Sequence, residues 1–200
     1  MTNHYYSKNP NADSNPVFWE FTLRGKAFKF KTDNGVFSKK EVDFGSRVMI
    51  EAFTEPTIPG PILDVGCGYG PIGLSIGYSF PDRTIEMVDV NERAIELAKE
   101  NAANNHISNT TVYESNVFSN VKGTSYAAIM TNPPIRAGKK IVHEILEKSY
   151  GHLSPGGELW VVIQKKQGAP SAMEKMETVF GNVEVACKKK GYYILVSKKN

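Results

Sequence analysis

Three glycines alternate within Gly66-Cys67-Gly68-Tyr69-Gly70, a loop that follows a short apolar run and precedes a helix-like run. Glycines in such a loop let the backbone approach a ligand closely, and the start of the following helix presents free amides to that ligand. Asp64 lies just before the loop, and Asp89 lies where a carboxylate can accept ribose hydroxyls. The pattern predicts a binding site for a nucleoside-containing cofactor.

The same stretch also satisfies the G-x-G-x-x-G pattern of dinucleotide-binding proteins when it is read from Gly68 through Gly70 to Gly73. Two features argue against NAD: the glycines begin earlier, at Gly66, and an acid, Asp64, lies inside the preceding strand. The loop alone leaves an NAD-dependent oxidoreductase open as an alternative.

The second stretch with chemical potential is Asn132-Pro133-Pro134, which directly follows the apolar run 126–131. Prolines lack an N–H group, so this backbone offers carbonyl oxygens that can only accept hydrogen bonds. Together with the side-chain oxygen of Asn132, they form a pair of acceptors suited to the two hydrogens of a planar amine. Preorganised dipoles of this kind stabilise the positive charge that grows on an amine during methylation. The stretch therefore predicts amine methylation.

These two stretches must be positioned by the elements around them. From Pro61 onward, strand-like and helix-like segments alternate, which is typical of a mostly parallel sheet covered by helices on both faces. We expect five parallel strands, a turn at 154–157, and a C-terminal antiparallel hairpin of runs 183–187 and 192–197, because the four residues between those runs are too few for a helical crossover. Ligands bind beyond the carboxyl ends of such strands, so the glycine loop and Asn132 should face one crevice.

The first 55 residues differ in character from the rest. The segment 18–30 is rich in aromatic residues, and Phe28-Lys29-Phe30-Lys31 alternates apolar with basic side chains. Asp33-Asn34-Gly35 indicates a tight turn, and 44–53 has helical spacing. We expect one domain overall, with an N-terminal extension or cap over residues 1–55 packed on a core over residues 56–200.

Composition narrows the class of protein. The chain has 200 residues and a formal net charge of +3, so a nucleic-acid partner is permitted but not required. No apolar stretch approaches the roughly 18 residues of a membrane span, and two distant cysteines, Cys67 and Cys187, give no disulfide framework. We therefore expect a cytoplasmic protein without a membrane partner. We expect no metal site, because the four histidines lack ligand spacing: His4, His106, His143 and His152.

The glycine loop and Asn132-Pro133-Pro134 together resemble motifs I and IV of the class I S-adenosylmethionine-dependent methyltransferases that act on amines. Over nearly the whole chain, the order of motifs is similar to that of the RsmC-like bacterial 16S ribosomal RNA (guanine-N2) methyltransferases. The further motifs of that resemblance are His4-Tyr5-Tyr6-Ser7, Gly35-Val36-Phe37-Ser38 and Asp43-Phe44-Gly45-Ser46.

The resemblance implies a Rossmann-like α/β fold with a mostly parallel seven-stranded sheet, a C-terminal antiparallel hairpin and a short N-terminal β/α extension. It also implies S-adenosyl-L-methionine as cofactor and ribosomal RNA or the small ribosomal subunit as partner. Larger family members carry a further N-terminal domain, for which this chain has no room, so we expect a single-domain form.

The resemblance also assigns roles by position. The expected cofactor-binding residues are Asp64, Gly66, Cys67, Gly68, Gly70, Asp89, Asn116 and Asn132, with Asp64 supporting the loop, Asp89 binding the ribose and Asn116 facing the adenine amine. The expected catalytic residues, which hold the target amine, are Asn132, Pro133 and Pro134. The expected substrate-binding residues on this ground are Phe37 and Ile135, and Ser38 would close over the site with Phe37. Arg136 and Lys139 directly follow the acceptor stretch, so we also expect them to bind substrate, through RNA phosphates, with a solvated surface as the alternative.

The chain departs from the family at Ile135, where an aromatic ring commonly stacks on the flipped base. Tyr5, Tyr6 or Phe37 could supply that ring instead. This departure keeps a protein glutamine N-methyltransferase open as an alternative, beside the NAD-dependent oxidoreductase and a non-catalytic RNA-binding module. Lys165-Lys166 could neutralise RNA phosphates, whereas a solvated surface is the favoured interpretation for Lys188-Lys189-Lys190.

Overall fold

The computed structural model of the protein describes Lys8 and residues 12–200. Its strands are β1 (Val17–Leu23), β2 (Lys26–Thr32), β3 (Ile62–Val65), β4 (Ile85–Asp89), β5 (Thr110–Glu114), β6 (Tyr126–Thr131), β7 (Leu153–Gln164), β8 (Glu184–Lys189) and β9 (Tyr192–Lys198). Its α-helices are α1 (Phe44–Ala52), α2 (Pro71–Ser79), α3 (Glu92–Asn104), α4 (Lys139–His152) and α5 (Ala169–Phe180). The motif at residues 4–7 lies outside the described residues.

A seven-stranded sheet in the order β5-β4-β3-β6-β7-β9-β8 organises the molecule. The first five strands in this order are parallel, β9 pairs antiparallel with β7, and β8 pairs antiparallel with β9. Every residue of β3 and β6 is buried, as expected for strands covered by helices on both faces. The predicted fold, five parallel strands with a C-terminal antiparallel hairpin, is confirmed.

The turn predicted at 154–157 is wrong, because this segment is the bulged beginning of β7. The register with β6 shifts there, from Tyr126 opposite Leu153 to Ala128 opposite Glu158. The backbone stays hydrogen-bonded beyond β9: the Gly156 N–H donates to the Lys199 carbonyl at 2.7 Å. The chain end therefore pairs with a stretch whose Pro and Gly residues suggested a break.

The helices cover both faces of the sheet. One buried cluster joins the sheet to α1, α2, α3 and the β1–β2 hairpin, and the other joins it to α4 and α5. Phe28 and Phe30 of β2 belong to the first cluster together with Met87 of β4. The boundary between an extension up to residue 55 and a core from residue 56 stays a proposal. Within the described part of the chain, no helix is both long and apolar enough to cross a membrane.

The β1–β2 hairpin forms its own two-stranded sheet. Its turn is Arg24-Gly25, with φ angles of 47° and 79°, the pair of positive angles typical of a tight type I′ turn. The turn predicted at Asp33-Asn34-Gly35 is present as a second reversal after β2. Helix α1 follows, capped by the Asp43 carboxylate, which accepts a hydrogen bond from the Ser46 N–H at 3.0 Å.

Two asparagines attach the hairpin to the rest of the molecule: Asn101 of α3 and Asn105, the C-cap residue of that helix. The Asn105 amide accepts from the N–H of Lys29 at 2.9 Å and donates to the carbonyl of the same residue at 2.8 Å. One helical turn earlier, Asn101 makes the same pair of hydrogen bonds to Lys31, at 2.7 and 3.0 Å. The two side chains replace a neighbouring strand, so the free edge of β2 is satisfied by a helix.

Candidate active site

A cavity of about 300 Å³ lies at the carboxyl ends of the parallel strands. It is bounded by the loops after β3, β4, β6 and β7, by residues 36–46, and by the start of β9. Most predicted site residues line it, namely Phe37, Ser38, Gly66, Cys67, Gly68, Asp89, Asn132, Pro133, Pro134, Ile135 and Arg136. Four other predicted residues do not line it: Asp64, Gly70, Asn116 and Lys139.

The glycine loop presents bare backbone to the cavity. Gly66 and Gly68 have φ angles of 75° and 56°, and a Cβ atom built on either would meet no atom of Lys8 or residues 12–200 within 4 Å. The loop is anchored from behind, because the N–H groups of Gly66 and Cys67 both donate to the Val88 carbonyl, at 2.8 and 2.9 Å. The space that a side chain would fill is thus left for a ligand, as a close-approach loop requires.

Gly70 and Gly73 have a different environment from Gly66 and Gly68. Gly70 caps the start of α2 with a φ of 103°, and a Cβ on Gly73 would lie 2.6 Å from the Met87 side chain. These glycines allow close packing of α2 on β4. Two of the three glycines that match the dinucleotide fingerprint, Gly70 and Gly73, are therefore explained by helix packing.

Asp89 faces the cavity from the end of β4. One carboxylate oxygen accepts from the Gly68 N–H at 2.8 Å and the other accepts from the Asn91 N–H at 2.9 Å. Burial raises the pKa of this carboxyl group above its usual range. A carboxylate has about four acceptor positions, so Asp89 can hold the glycine loop and still accept hydroxyl groups from a ligand.

Asn91 connects the floor of the cavity to its wall. Its side-chain oxygen accepts from the N–H groups of Arg93 and Ala94, which makes it the N-cap of α3. Its Nδ2 donates to the carbonyl of Gly35 at 2.8 Å, and the Arg93 guanidinium donates to the carbonyl of Asn34 at 2.7 Å. The N-terminal end of α3 therefore positions the segment that carries Phe37.

Asp64 supports the site from beneath. It is buried, and its Oδ2 accepts from the Gly73 N–H at 2.9 Å, while its Oδ1 has no hydrogen-bond partner among the described residues. Burial, opposed by the Gly73 hydrogen bond and reinforced by the nearby Asp89 charge, raises the pKa of Asp64 to about 7. Asn116 is exposed just beyond β5, where its N–H donates to Ser119 Oγ at 3.1 Å.

Asn132 is held in one orientation by the start of α1. Its Nδ2 donates to Asp43 Oδ2 at 3.1 Å and to Ser46 Oγ at 2.9 Å. Both amide hydrogens are thereby occupied, which leaves the side-chain oxygen as the group available to a ligand. The Asp43–Ser46 motif belongs to the family resemblance, but no role was predicted for it. The N-cap spacing of Asp43 and Ser46 can be recognised in the sequence. Their contacts with Asn132 cannot, because more than 80 residues separate the partners.

The two prolines after Asn132 supply a rigid wall. Both are buried, and the Pro134 carbonyl accepts from the Ala137 N–H at 2.9 Å as the short 3-10 helix Ile135–Ala137 begins. No hydrogen bond to the Pro133 carbonyl occurs among the described residues. The Asn132 amide oxygen and the Pro133 carbonyl are therefore the acceptors that this loop can offer, as predicted from the residue types.

Three aromatic residues line the cavity although Ile135 does not provide a ring: Phe37, Tyr192 and the buried Tyr69. Phe37 is 43% exposed, and Tyr192 is half-buried at the start of β9. The Tyr192 ring packs against α1 so closely that a Cβ on Gly45 would lie 2.6 Å from it. Tyr192 was not predicted as a site residue. The antiparallel pairing of the hairpin was the available signal, because it returns the start of β9 to the carboxyl edge of the sheet.

Of the predicted substrate-binding cations, the structure brings Arg136 to the cavity but not Lys139. Lys139 begins α4 and lies at a separate surface depression with Lys140 and His143. Across Lys8 and residues 12–200, no three His, Cys, Asp or Glu side chains cluster as a metal site would require.

Comparison with known proteins assigns the chain to a family. A profile of the methyltransferase small domain family matches residues 27–196. An uncharacterised protein of Bacillus subtilis, YbxB, is 62% identical over 200 residues, the full length of both chains. Ribosomal RNA small subunit methyltransferase C of Vibrio cholerae is 32% identical over 180 residues, 88% of this chain and 51% of that protein. The chain thus spans about half the length of this second relative.

Solved structures agree on the fold. The T. thermophilus 16S rRNA N2 G1207 methyltransferase (RsmC), in complex with AdoMet and guanosine, superposes with a TM-score of 0.84 at 22% identity, over 96% of this chain and 52% of that chain. A methyltransferase from Pyrococcus furiosus superposes with a TM-score of 0.69 at 23% identity, over 84% of this chain and 90% of that chain. The predicted class I methyltransferase fold is confirmed, and the chain belongs to the methyltransferase small domain family.

Proposed function

We propose that this protein is an S-adenosylmethionine-dependent N-methyltransferase that modifies the exocyclic 2-amino group of a guanine in small-subunit ribosomal RNA. The observation that carries the proposal is the Asn132 amide, whose two hydrogens are held by Asp43 and Ser46 so that its oxygen is available beside the Pro133 carbonyl. The names of the relatives with 32% identity support the RNA substrate.

S-adenosylmethionine is the cofactor of this family, and the residues present fit it. Gly66 and Gly68 leave open space at the floor of the cavity, and Asp89 has acceptor capacity for ribose hydroxyls. When bound, the cofactor supplies a methyl group carried on a cationic sulfur. We assign Gly66, Cys67, Gly68 and Asp89 to cofactor binding, and Asp64 and Gly70 to support of the loop. The role of Asn116 toward adenine remains a prediction.

Asn132 and Pro133 would act on the amine through positioning and electrostatics. Two fixed acceptors that hold both amine hydrogens direct the nitrogen lone pair toward the cofactor side of the cavity. They also stabilise the positive charge that develops on nitrogen as it gains the methyl group. The methylated amine is then acidic enough to release a proton to water, so this chain needs no dedicated base.

The rings of Phe37 and Tyr192 are suited to contact a planar base. Base–aromatic stacking contributes about 1–3 kcal/mol per base, and a base must leave its stack before its amino group can enter such a cavity. We assign Phe37 and Tyr192 to base contact, Ile135 to an apolar wall and Arg136 to a phosphate. The substrate also implies a cytoplasmic location.

A protein glutamine N-methyltransferase is the second candidate, and the observation that favours it is Ile135, which gives the Asn-Pro-Pro loop an aliphatic wall instead of a ring. Asn132 and Pro133 could hold the NH2 group of a guanine or that of a glutamine side-chain amide. The match to a methyltransferase family decides against an NAD-dependent oxidoreductase.

Replacing Asn132 with Ala tests whether this side chain acts in the reaction rather than in folding alone. We expect turnover on small-subunit RNA to fall by ~10²-fold or more, as with the loss of one preorganised polar group elsewhere. Labelled methyl transfer measures turnover, and thermal unfolding monitors the fold. Near-normal turnover in the folded variant would exclude the proposed role of Asn132.

A further inference from the structure

Five lysines lie together at the carboxyl edge of the sheet, next to the cavity. Lys165 and Lys166 follow β7, and Lys188, Lys189 and Lys190 lie at the end of β8 and in its turn to β9. We call these five residues the basic ridge. The two groups are separated by more than 20 residues in the chain, so they are neighbours because of the fold and not because of the local sequence.

The strand directions explain why the two groups meet. Strand β7 ends at this edge, β9 runs antiparallel to β7 and starts there, and β8 runs antiparallel to β9 and ends there. The Lys165 N–H donates to the carbonyl of Gly191 at 2.9 Å, which joins the two loops directly. Tyr192, the next residue after Gly191, lines the cavity, so the ridge borders the cavity mouth.

The ridge lysines are exposed, and no carboxylate neutralises them within the described residues. All seven ion pairs found there use other cations: Lys8, Lys31, Arg83, Arg93, Lys99, Lys148 and Lys175. Glu184, the acid of β8, lies at the opposite end of that strand. The ridge therefore has an uncompensated positive charge, although the net charge of the whole chain is only +3.

Aromatic rings lie beside these cations on both faces of the sheet, with Tyr193 on the face of α4 and α5 and Phe44 on the face of α1. The Lys188 ammonium lies 4.8 Å from the centre of the Tyr193 ring, and the Lys190 ammonium lies 5.1 Å from the centre of the Phe44 ring. Phe44 in turn packs against Tyr192 at 5.6 Å. A basic track with aromatic rings beside it is the arrangement that binds single-stranded nucleic acid, because cations contact phosphates and rings stack on bases.

We propose that the basic ridge binds the sugar–phosphate backbone of a single-stranded RNA segment next to the nucleotide that enters the cavity. This inference rests on the proposed function for its choice of RNA as the ligand. A single strand is favoured because the target amino group must leave its base stack. The ridge replaces Lys139 as the source of phosphate contacts and gives Lys188-Lys189-Lys190 a role beyond a solvated surface.

Binding of a fluorescent 20-nucleotide oligouridylate, followed by anisotropy across a range of salt concentrations, tests the ridge. Oligouridylate contains no guanine, so the measurement reports backbone contact independently of methyl transfer. The ridge variant is K165Q/K166Q/K189Q. The control variant, K29Q/K122Q/K198Q, removes the same charge from exposed lysines away from this edge. Thermal unfolding verifies that both variants are folded.

We expect the ridge variant to bind at least tenfold more weakly than the unmodified protein, with the log–log salt slope reduced by about 2, since each phosphate contact to a single strand contributes about 0.7. The control should change affinity less than twofold. Equal losses in both variants, unchanged affinity of the ridge variant, or no binding by the unmodified protein would each overturn the proposal. Ridge-dependent binding without guanine methylation would instead overturn the proposed function and leave the ridge supported.

Discussion

The Asp43 side chain makes two hydrogen bonds that have different roles. Its carboxylate accepts from the Ser46 N–H, which caps α1, and the same oxygen accepts from the Asn132 amide. The side chain that would hold the substrate amine is therefore positioned by a helix end on the other side of the cavity. In this arrangement Asp43 is a positioning residue, because it acts through Asn132.

The variant Asp43→Ser separates these two roles. Serine is also a good N-cap, so the free energy of unfolding should change by less than about 1 kcal/mol. The shorter side chain loses its contact with Asn132, and we expect kcat to fall at least tenfold while the KM for S-adenosylmethionine changes little. Steady-state methyl transfer and urea unfolding measure the two effects. A stability loss with unchanged kcat would reduce Asp43 to a helix cap.

The residues proposed to carry the chemistry could be singled out from the sequence because their types and local spacing are unusual. Alternating glycines after a strand, a following acid and an Asn-Pro-Pro stretch each have few structural explanations. Asp43, Ser46 and Tyr192 could not be assigned in the same way. Each reaches the cavity through tertiary contacts, and an N-cap or a strand tyrosine is common in any fold.

At the scale of elements, α3 attaches the β1–β2 hairpin and thereby positions one wall of the cavity. Asn101 is buried and satisfies the Lys31 N–H, the Lys31 carbonyl and the Tyr69 carbonyl. The parallel strands, their helices and the C-terminal hairpin follow from apolar runs and loop lengths. The docking of the N-terminal hairpin does not, because an asparagine on the inner face of a helix has no periodic pattern.

Replacing Asn101 with Ala tests this attachment. The substitution leaves three backbone groups without a partner, so we expect the free energy of unfolding to fall by roughly 2–4 kcal/mol in urea titrations. Asn104→Ala, at an exposed position of the same helix, is the matched control and should change it by less than about 0.5 kcal/mol. Comparable stability of the two variants would contradict the role given to Asn101.

The stability of the whole molecule should depend on the charge of Asp64. Its pKa, raised to about 7 by burial, lies above the ordinary value of 3.8. Between these values the folded state keeps a proton that the unfolded state releases, so stability declines as pH rises toward 7 and then levels off.

Comparison with the non-titrating variant Asp64→Asn isolates this effect in the absence of cofactor. From pH 5.5 to pH 8, we expect the free energy of unfolding of the unmodified protein to fall by about 2 kcal/mol relative to the variant. This value corresponds to the interval of about 1.5 pH units between pH 5.5 and the pKa of Asp64. Urea unfolding at the two pH values gives the difference. A constant difference would mean that Asp64 ionises normally despite its burial.

The proposed activity is methylation of guanine in ribosomal RNA, and the chain spans about half the length of the relatives named as small-subunit ribosomal RNA methyltransferases. The most direct test incubates the protein and methyl-labelled S-adenosylmethionine with small ribosomal subunits from cells that lack it. The RNA is then digested to nucleosides. We expect label in 2-methylguanosine. Label in glutamine of a ribosomal protein, or no label in RNA, would contradict it.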